Sequence, residues 1–107
     1  MEAIVILTNL PTEDSAQRLA KQLVTTKIAA CVNIMPPCLS TYRWHDTIET
    51  TTEVPVLIKT QRCHYDAVER SIRACHPYTV PEIIALPIVA GLAEYLGWIA
   101  TETTGNP

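Results

Sequence analysis

Phenylalanine is absent from this chain of 107 residues, and four tyrosines and two tryptophans supply all its aromatic rings. Few rings are left for base stacking. Eight basic residues against eleven acidic ones, a net charge of −3, leave no excess of cations for phosphate contacts. Nucleic acid is therefore not an expected partner. Glycine is scarce, with only Gly91, Gly97 and Gly105, so no Gly-rich phosphate loop can form in the first ninety residues. No Ser or Cys sits in a nucleophile elbow, and catalysis is not expected. Long apolar runs are missing too. The longest without a charge, Ile83–Ala93, has 11 residues interrupted by Pro87 and Gly91, far short of the ~20 that span a bilayer. Met1-Glu2 opens without a basic n-region and Ala3–Leu7 is too short for a signal segment, which predicts a cytoplasmic protein.

The four cysteines, Cys31, Cys38, Cys63 and Cys75, include no C-x-x-C pair, and a reducing cytosol disfavours disulfides. Cys63-His64 and Cys75-His76 resemble a repeated ligand pair. On one helix, however, the two would stand ~18 Å apart, too far to share one metal ion. Cys31 and Cys63 are expected as core or half-buried thiols.

What is present is a core. At 48% hydrophobic and 18% charged, residues 1–107 have enough apolar material to fold, and their length fits a single domain. Ala3–Thr8 is a continuous, largely β-branched run, predicting a strand buried on both faces. Thr12 is the expected cap of a helix carrying Ala16, Leu19, Ala20 and Leu23 on one side. Ile28–Met35 reads as a strand broken by Pro36-Pro37, where a bend or bulge is expected. Leu39–Ile48 continues extended, with Ser40, Tyr42 and Trp44 on one face, turns near Asp46-Thr47, and returns from about Thr52 to Thr60. Pro55 inside the return strand predicts a hairpin whose tip projects past the main sheet. His64–Cys75 is helical, with Tyr65, Val68, Ile72 and Cys75 on one face. His76–Glu82 is an ordered loop with two prolines, Ile83–Val89 a strand, and Gly91–Thr101 a last helix with Leu92, Tyr95, Leu96 and Ile99 inward.

The order βαββαβ predicts an α+β, ferredoxin-like domain with a long hairpin between its second and third strands and an extra C-terminal helix. Two helices cover one face of its sheet; the last helix, a neighbouring subunit or a ligand must cover the other. This fold hosts many functions. The central strands carry no aromatics for RNA, and the Thr8–Thr12 loop has neither the thiols of a metal-chaperone domain nor the Arg and Gly of an acylphosphatase-like phosphate loop.

Five stretches in register resemble the CutA family of divalent-cation tolerance proteins. They are Ala29-Ala30-Cys31-Val32-Asn33-Ile34, Ser40-Thr41-Tyr42-Arg43-Trp44, Ile58-Lys59-Thr60, His76-Pro77-Tyr78 with Pro81-Glu82-Ile83-Ile84, and Tyr95-Leu96-Gly97-Trp98-Ile99. The resemblance spans residues 3 to 100. It implies a compact homotrimer, similar in build to PII signalling proteins, and binding of copper or another divalent metal. The alternative implied by the PII likeness is a regulatory trimer with a small molecule in its intersubunit cleft. Three positions depart from the family pattern: Asp46 stands where a hairpin Gly is usual, Thr79 follows His-Pro-Tyr in place of an acid, and Thr8 occupies a position where some relatives supply a thiol. Asp tolerates left-handed backbone, so a tight turn is still expected.

His76 and Glu82 are the candidate metal ligands, an imidazole and a carboxylate held six residues apart by two prolines. The plainer reading has His76 capping the helix before it and Glu82 accepting backbone hydrogen bonds. Cys75 either adds a soft ligand or packs on the apolar face of its helix. Tyr42 and Trp44 read as subunit contacts, or with Lys59 and Tyr78 as a platform for a planar small molecule; Lys59 is otherwise an ordinary snorkelling side chain. Tyr78 is expected close to Tyr42, Trp44 or Lys59.

Overall fold

A computed structural model describes residues 2–107; Met1, where the targeting reading begins, lies outside the described residues. The elements are β1 (Ala3–Leu10), α1 (Glu13–Thr25), β2 (Cys31–Ile34), β3 (Cys38–Trp44), β4 (Thr47–Gln61), a 3-10 turn (Arg62–His64), α2 (Tyr65–Cys75), β5 (Ile83–Pro87) and α3 (Ala93–Thr101). All pairings are antiparallel, in the order β2-β4-β1-β5, and β3 pairs only with the far half of β4. This is the expected ferredoxin-like arrangement, with α1 and α2 on one face.

Alternation along the central strands builds the core. Ile4, Ile6 and Leu10 of β1 and Val54, Val56 and Ile58 of β4 are sealed against Leu19 and Leu23 of α1 and Val68 and Ile72 of α2. The intervening residues Val5, Leu7, Leu57 and Lys59 are only half-buried, which corrects the expectation that β1 is buried on both faces. α3 covers one end of this outer face, where Ile99 is buried against Ala3 and Ala30. Its Leu92 and Tyr95, expected inward, are exposed. Ile84 and Leu86 on β5 keep 49% and 50% of their surface in water, so the described residues leave the rest of the outer face open.

Thr12 caps α1: its hydroxyl accepts the Ser15 N–H at 3.1 Å, and the Thr12 N–H donates to the Ser15 hydroxyl at 3.3 Å. The tail is pinned at Thr103, whose carbonyl lies 2.7 Å from Nε2 of buried His64 and whose hydroxyl accepts from Gln61 at 2.7 Å.

The hairpin is longer than its sequence indicates. β4 starts at Thr47 because the reversal uses His45 and Asp46, both left-handed at φ 49° and 63°. Two consecutive left-handed residues match a two-residue turn to the twist of its strands, and Asp46 holds the second place without glycine. At the other end the register changes. Ile34 pairs with Val56 but Cys38 with Glu53, so three residues oppose two. This is the bulge expected at Pro36-Pro37. Pro55 accepts the Met35 N–H at its carbonyl, so its own missing N–H faces this break in the ladder. The extra residue switches parity: Cys31 and Asn33 share the outer face with Lys59 and Leu57, and beyond the bulge Cys38, Ser40, Tyr42 and Trp44 take that face. β4 runs unbroken, so one surface extends from the sheet to the tip, and the chain measures 44 × 25 × 23 Å.

Candidate functional site

β1 ends where the His76–Glu82 loop crosses it, and Asn9 is the meeting point. The Asn9 side-chain amide donates to a Glu82 carboxylate oxygen at 3.0 Å, and its backbone carbonyl lies 2.6 Å from His76 Nε2. The Tyr78 backbone N–H points at His76 Nδ1 at 3.2 Å. A backbone N–H can only donate, so Nδ1 is the acceptor and the ring proton sits on Nε2, directed at Asn9. The imidazole is thus neutral, buried and fixed in tautomer. His76 has an extended backbone just past α2, as a residue before proline must, and this turns its ring back towards β1.

Cys75 is not part of this group. The residue as a whole is exposed, but its Sγ is partly buried where it donates to the Ile72 carbonyl at 3.4 Å, and this desolvation is the main cause pushing the thiol pKa up. The expectation that it packs on the apolar face of α2 is therefore corrected: α2 ends there, and its buried stripe closes at Ile72. Cys63, also expected inside, is exposed, whereas Cys31 is half-buried. Among the described residues no three His, Cys, Asp or Glu side chains gather into a ready metal cage. Glu82 is exposed, with one oxygen held by Asn9 and the other open to a further partner.

Tyr78 stacks at a tilt on His76, with centroids 4.6 Å apart, and its phenol is raised above the ordinary value. Burial is the largest cause, followed by the charges of Glu53 and, once ionised, Tyr42. Lys59 lies elsewhere, with its Nζ 5.9 Å from the Tyr95 ring, and that ring leans on Trp98 at 5.5 Å. Trp44 sits at the tip, edge-on to His45 at 4.8 Å. Twelve residues of β4 separate the Lys59 level from the Trp44 level, about 40 Å at ~3.4 Å each. A single chain therefore does not assemble Tyr42, Trp44, Lys59 and Tyr78 into one platform.

Two groups escaped the sequence reading. Asn9 joins both candidate ligands, yet nothing but its position at the end of a β-branched run marks it. Glu53 is only 7% exposed. Its signal was an acid in alternation with Leu57 and Lys59 on a strand assigned from about Thr52.

The chain from residue 4 to 102 matches the family described as CutA1 divalent ion tolerance protein. It is 44% identical over 103 residues to the divalent-cation tolerance protein CutA of Thermus thermophilus, an alignment covering 96% of this chain and 99% of that one. It is 40% identical to the chloroplastic protein CutA 1 of Oryza sativa, covering 94% of this chain and 57% of the relative. The crystal structure of CutA from Xylella fastidiosa superimposes with a TM-score of 0.92 at 43% identity, covering 96% and 99% of the two chains. These descriptions concern cation tolerance and name no reaction, and they do not favour the small-molecule alternative. No helix among the described residues is long and apolar enough to cross a membrane.

Proposed function

Because the chain belongs to the CutA1 divalent ion tolerance family, we propose that it is a cytoplasmic homotrimer that binds divalent cations, copper foremost, and has no enzymatic role. The observation that carries the cation reading is the His76–Asn9–Glu82 group. A histidine that ligates a metal through one nitrogen commonly donates the other N–H to a carbonyl, which fixes its tautomer. His76 already has that arrangement: Nε2 is spent on Asn9, and Nδ1 is a free base apart from one backbone N–H 3.2 Å away. A cation that takes Nδ1 displaces that single bond, a loss of about 1 kcal/mol, and finds the open oxygen of Glu82 on the same strand end. Imidazole nitrogen with carboxylate oxygen suits copper. Cys75 contributes only if the end of α2 rearranges, and a second chain supplies the remaining ligands.

Assembly is supported by the uncovered outer face and the projecting hairpin. Ile84, Leu86 and Trp44 are too exposed to be stable in contiguous apolar surface on a lone chain, and β5 has a free edge. Tyr42 and Trp44 then act as contacts between subunits, and their neighbours bring Lys59 within reach.

The test is copper titration by calorimetry, with light scattering on the same samples. The wild-type chain is expected to scatter as three chains of 11.9 kDa each and to bind copper more weakly on acidification, which protonates the imidazole. His76→Ala and Glu82→Ala should each lower affinity at least tenfold. Unchanged binding by the double variant would move the site elsewhere, and a monomer at micromolar concentration would remove the trimer.

A further inference from the structure

Asn9 touches both candidate ligands, through different atoms and for different structural reasons. Its carbonyl is aimed by the strand pairing. Pro55 stands opposite Asn9 and accepts the Met35 N–H at its own carbonyl, away from β1, so the backbone groups of this pair point apart. The Asn9 carbonyl therefore faces the β5 side, where His76 Nε2 meets it at 2.6 Å. The Asn9 side chain lies on the outer face with Leu7. It stands one step beyond the last β1–β5 pair, Thr8 with Ile83, and Glu82 stands at the same level on the neighbouring strand. A carboxylate can only accept, so the Asn9 amide nitrogen donates to Oε1 of Glu82, at 3.0 Å. No other hydrogen bond or ion pair reaches the Glu82 carboxylate among the described residues, so one oxygen is held and the other is open.

We infer, on the His76–Glu82 reading of the cation site, that the Asn9 side chain determines its specificity by restricting Glu82 to a single metal bond. Copper(II) takes nitrogen and oxygen donors in a square or tetragonal arrangement, and one oxygen from a carboxylate serves it. Oxygen-seeking ions make a different demand. Calcium takes about six to eight oxygens, and a carboxylate that gives both of its own helps to fill that shell. Manganese(II) shares the preference for carboxylate over imidazole. With Oε1 bound to Asn9, Glu82 offers such an ion only one of its two oxygens. The same hydrogen bond fixes the direction of the open oxygen, as partners of metal-binding carboxylates commonly do. Asn9 thus favours copper in two ways: it orients the open oxygen, and it withholds the other from competing ions. Its side chain does not touch the ion and acts through Glu82.

The experiment titrates copper(II) by calorimetry and manganese(II) by electron paramagnetic resonance into the full chain, as wild type and as Asn9→Ala. Loss of the amide is expected to weaken copper about tenfold and manganese less than about threefold, so the ratio of the two affinities falls at least about threefold. In a Glu82→Ala background the same substitution should change copper affinity less than about twofold, because Asn9 acts through the carboxylate. Nitrogen NMR of the metal-free protein at one fixed pH guards against a fold defect. Asn9→Ala keeps the backbone carbonyl, so His76 should keep its proton on Nε2. An unchanged ratio in Asn9→Ala, or an equal loss of copper affinity with and without Glu82, would overturn the role of Asn9 and leave the copper site standing. A move of the His76 proton in Asn9→Ala would overturn it as well, by showing that the side chain holds the whole loop. Wild type that binds no copper, or copper binding that survives His76→Ala/Glu82→Ala, would remove the site itself and the role of Asn9 with it.

Discussion

The two faces of the central sheet are written by the same two strands, yet they follow different chemistry. On the helix side, Ile6, Leu10, Val56 and Ile58 are fully buried among α1 and α2, and the buried polar side chains that β1 and β4 turn to that side are Thr8 and Thr60. Thr60 is satisfied by donating to the Ile28 carbonyl at 2.6 Å. On the other side, half-buried Leu7 and Leu57 alternate along their strands with Asn9, Glu53 and Lys59. The charged side chains of β1 and β4, namely Glu49, Glu53 and Lys59, all lie on this second face. The inner face holds the chain together, and the outer face is where the chain has interactions left to make.

The largest expected effect breaks that comparison from the inside. Ile58→Ala deletes three buried carbons beneath both helices and should cost ~2–5 kcal/mol in chemical denaturation. Ile84→Ala, on a side chain already half in water, should cost about 1 kcal/mol in the isolated chain. If Ile84→Ala instead destabilises as much as Ile58→Ala and the loss depends on protein concentration, the outer face is as buried in the assembly as the inner one is in the subunit. Equal, concentration-independent losses would erase the distinction between the faces.

A smaller effect tests the hairpin that extends the outer face. Asp46 adopts φ 63° where glycine meets no steric penalty, so Asp46→Gly should stabilise the chain by roughly 0.5–1 kcal/mol. A loss of stability from this substitution would show that the Asp46 side chain contributes more to the turn than its backbone strain costs.

Most of the inner face was legible beforehand because it depends on periodicity alone. β-branched runs marked β1 and the return strand, and Thr12 followed by Leu19 and Leu23 marked α1. The bulge was legible as two prolines, but its parity was not, because a register shift of one residue depends on how two distant strands pair. Hence Ser40, Tyr42 and Trp44 were correctly grouped, whereas Cys38 was not connected to Glu53, nor Asn9 to His76 and Glu82. Those pairs are 15, 67 and 73 residues apart, and only the sheet and the loop crossing β1 bring them together. The late start expected for β4 has the same origin. Thr-rich 47–52 carries no apolar alternation, and its strand conformation is imposed by β3.

The subtlest effect reads the electrostatics of the outer face directly. Burial first, then the charges of Glu53 and, once ionised, Tyr42, hold the Tyr78 phenol above the ordinary value of about 10. The folded chain therefore keeps this proton more tightly than the unfolded chain does. The resulting stability is fully present below the unfolded value, and it is lost as pH rises through the raised folded value. Alkaline difference absorbance between wild type and Tyr78→Phe isolates this one phenol among four. In the Glu53→Gln variant the burial contribution remains and the carboxylate contribution vanishes, so the midpoint should fall part of the way back towards 10. A midpoint that does not move would mean that burial alone sets it and that the Glu53 charge is already neutralised in the native protein. A full return would make the carboxylate the dominant cause and burial the lesser one. The partial return is the outcome that matches burial as the larger cause and the Glu53 carboxylate as the smaller one.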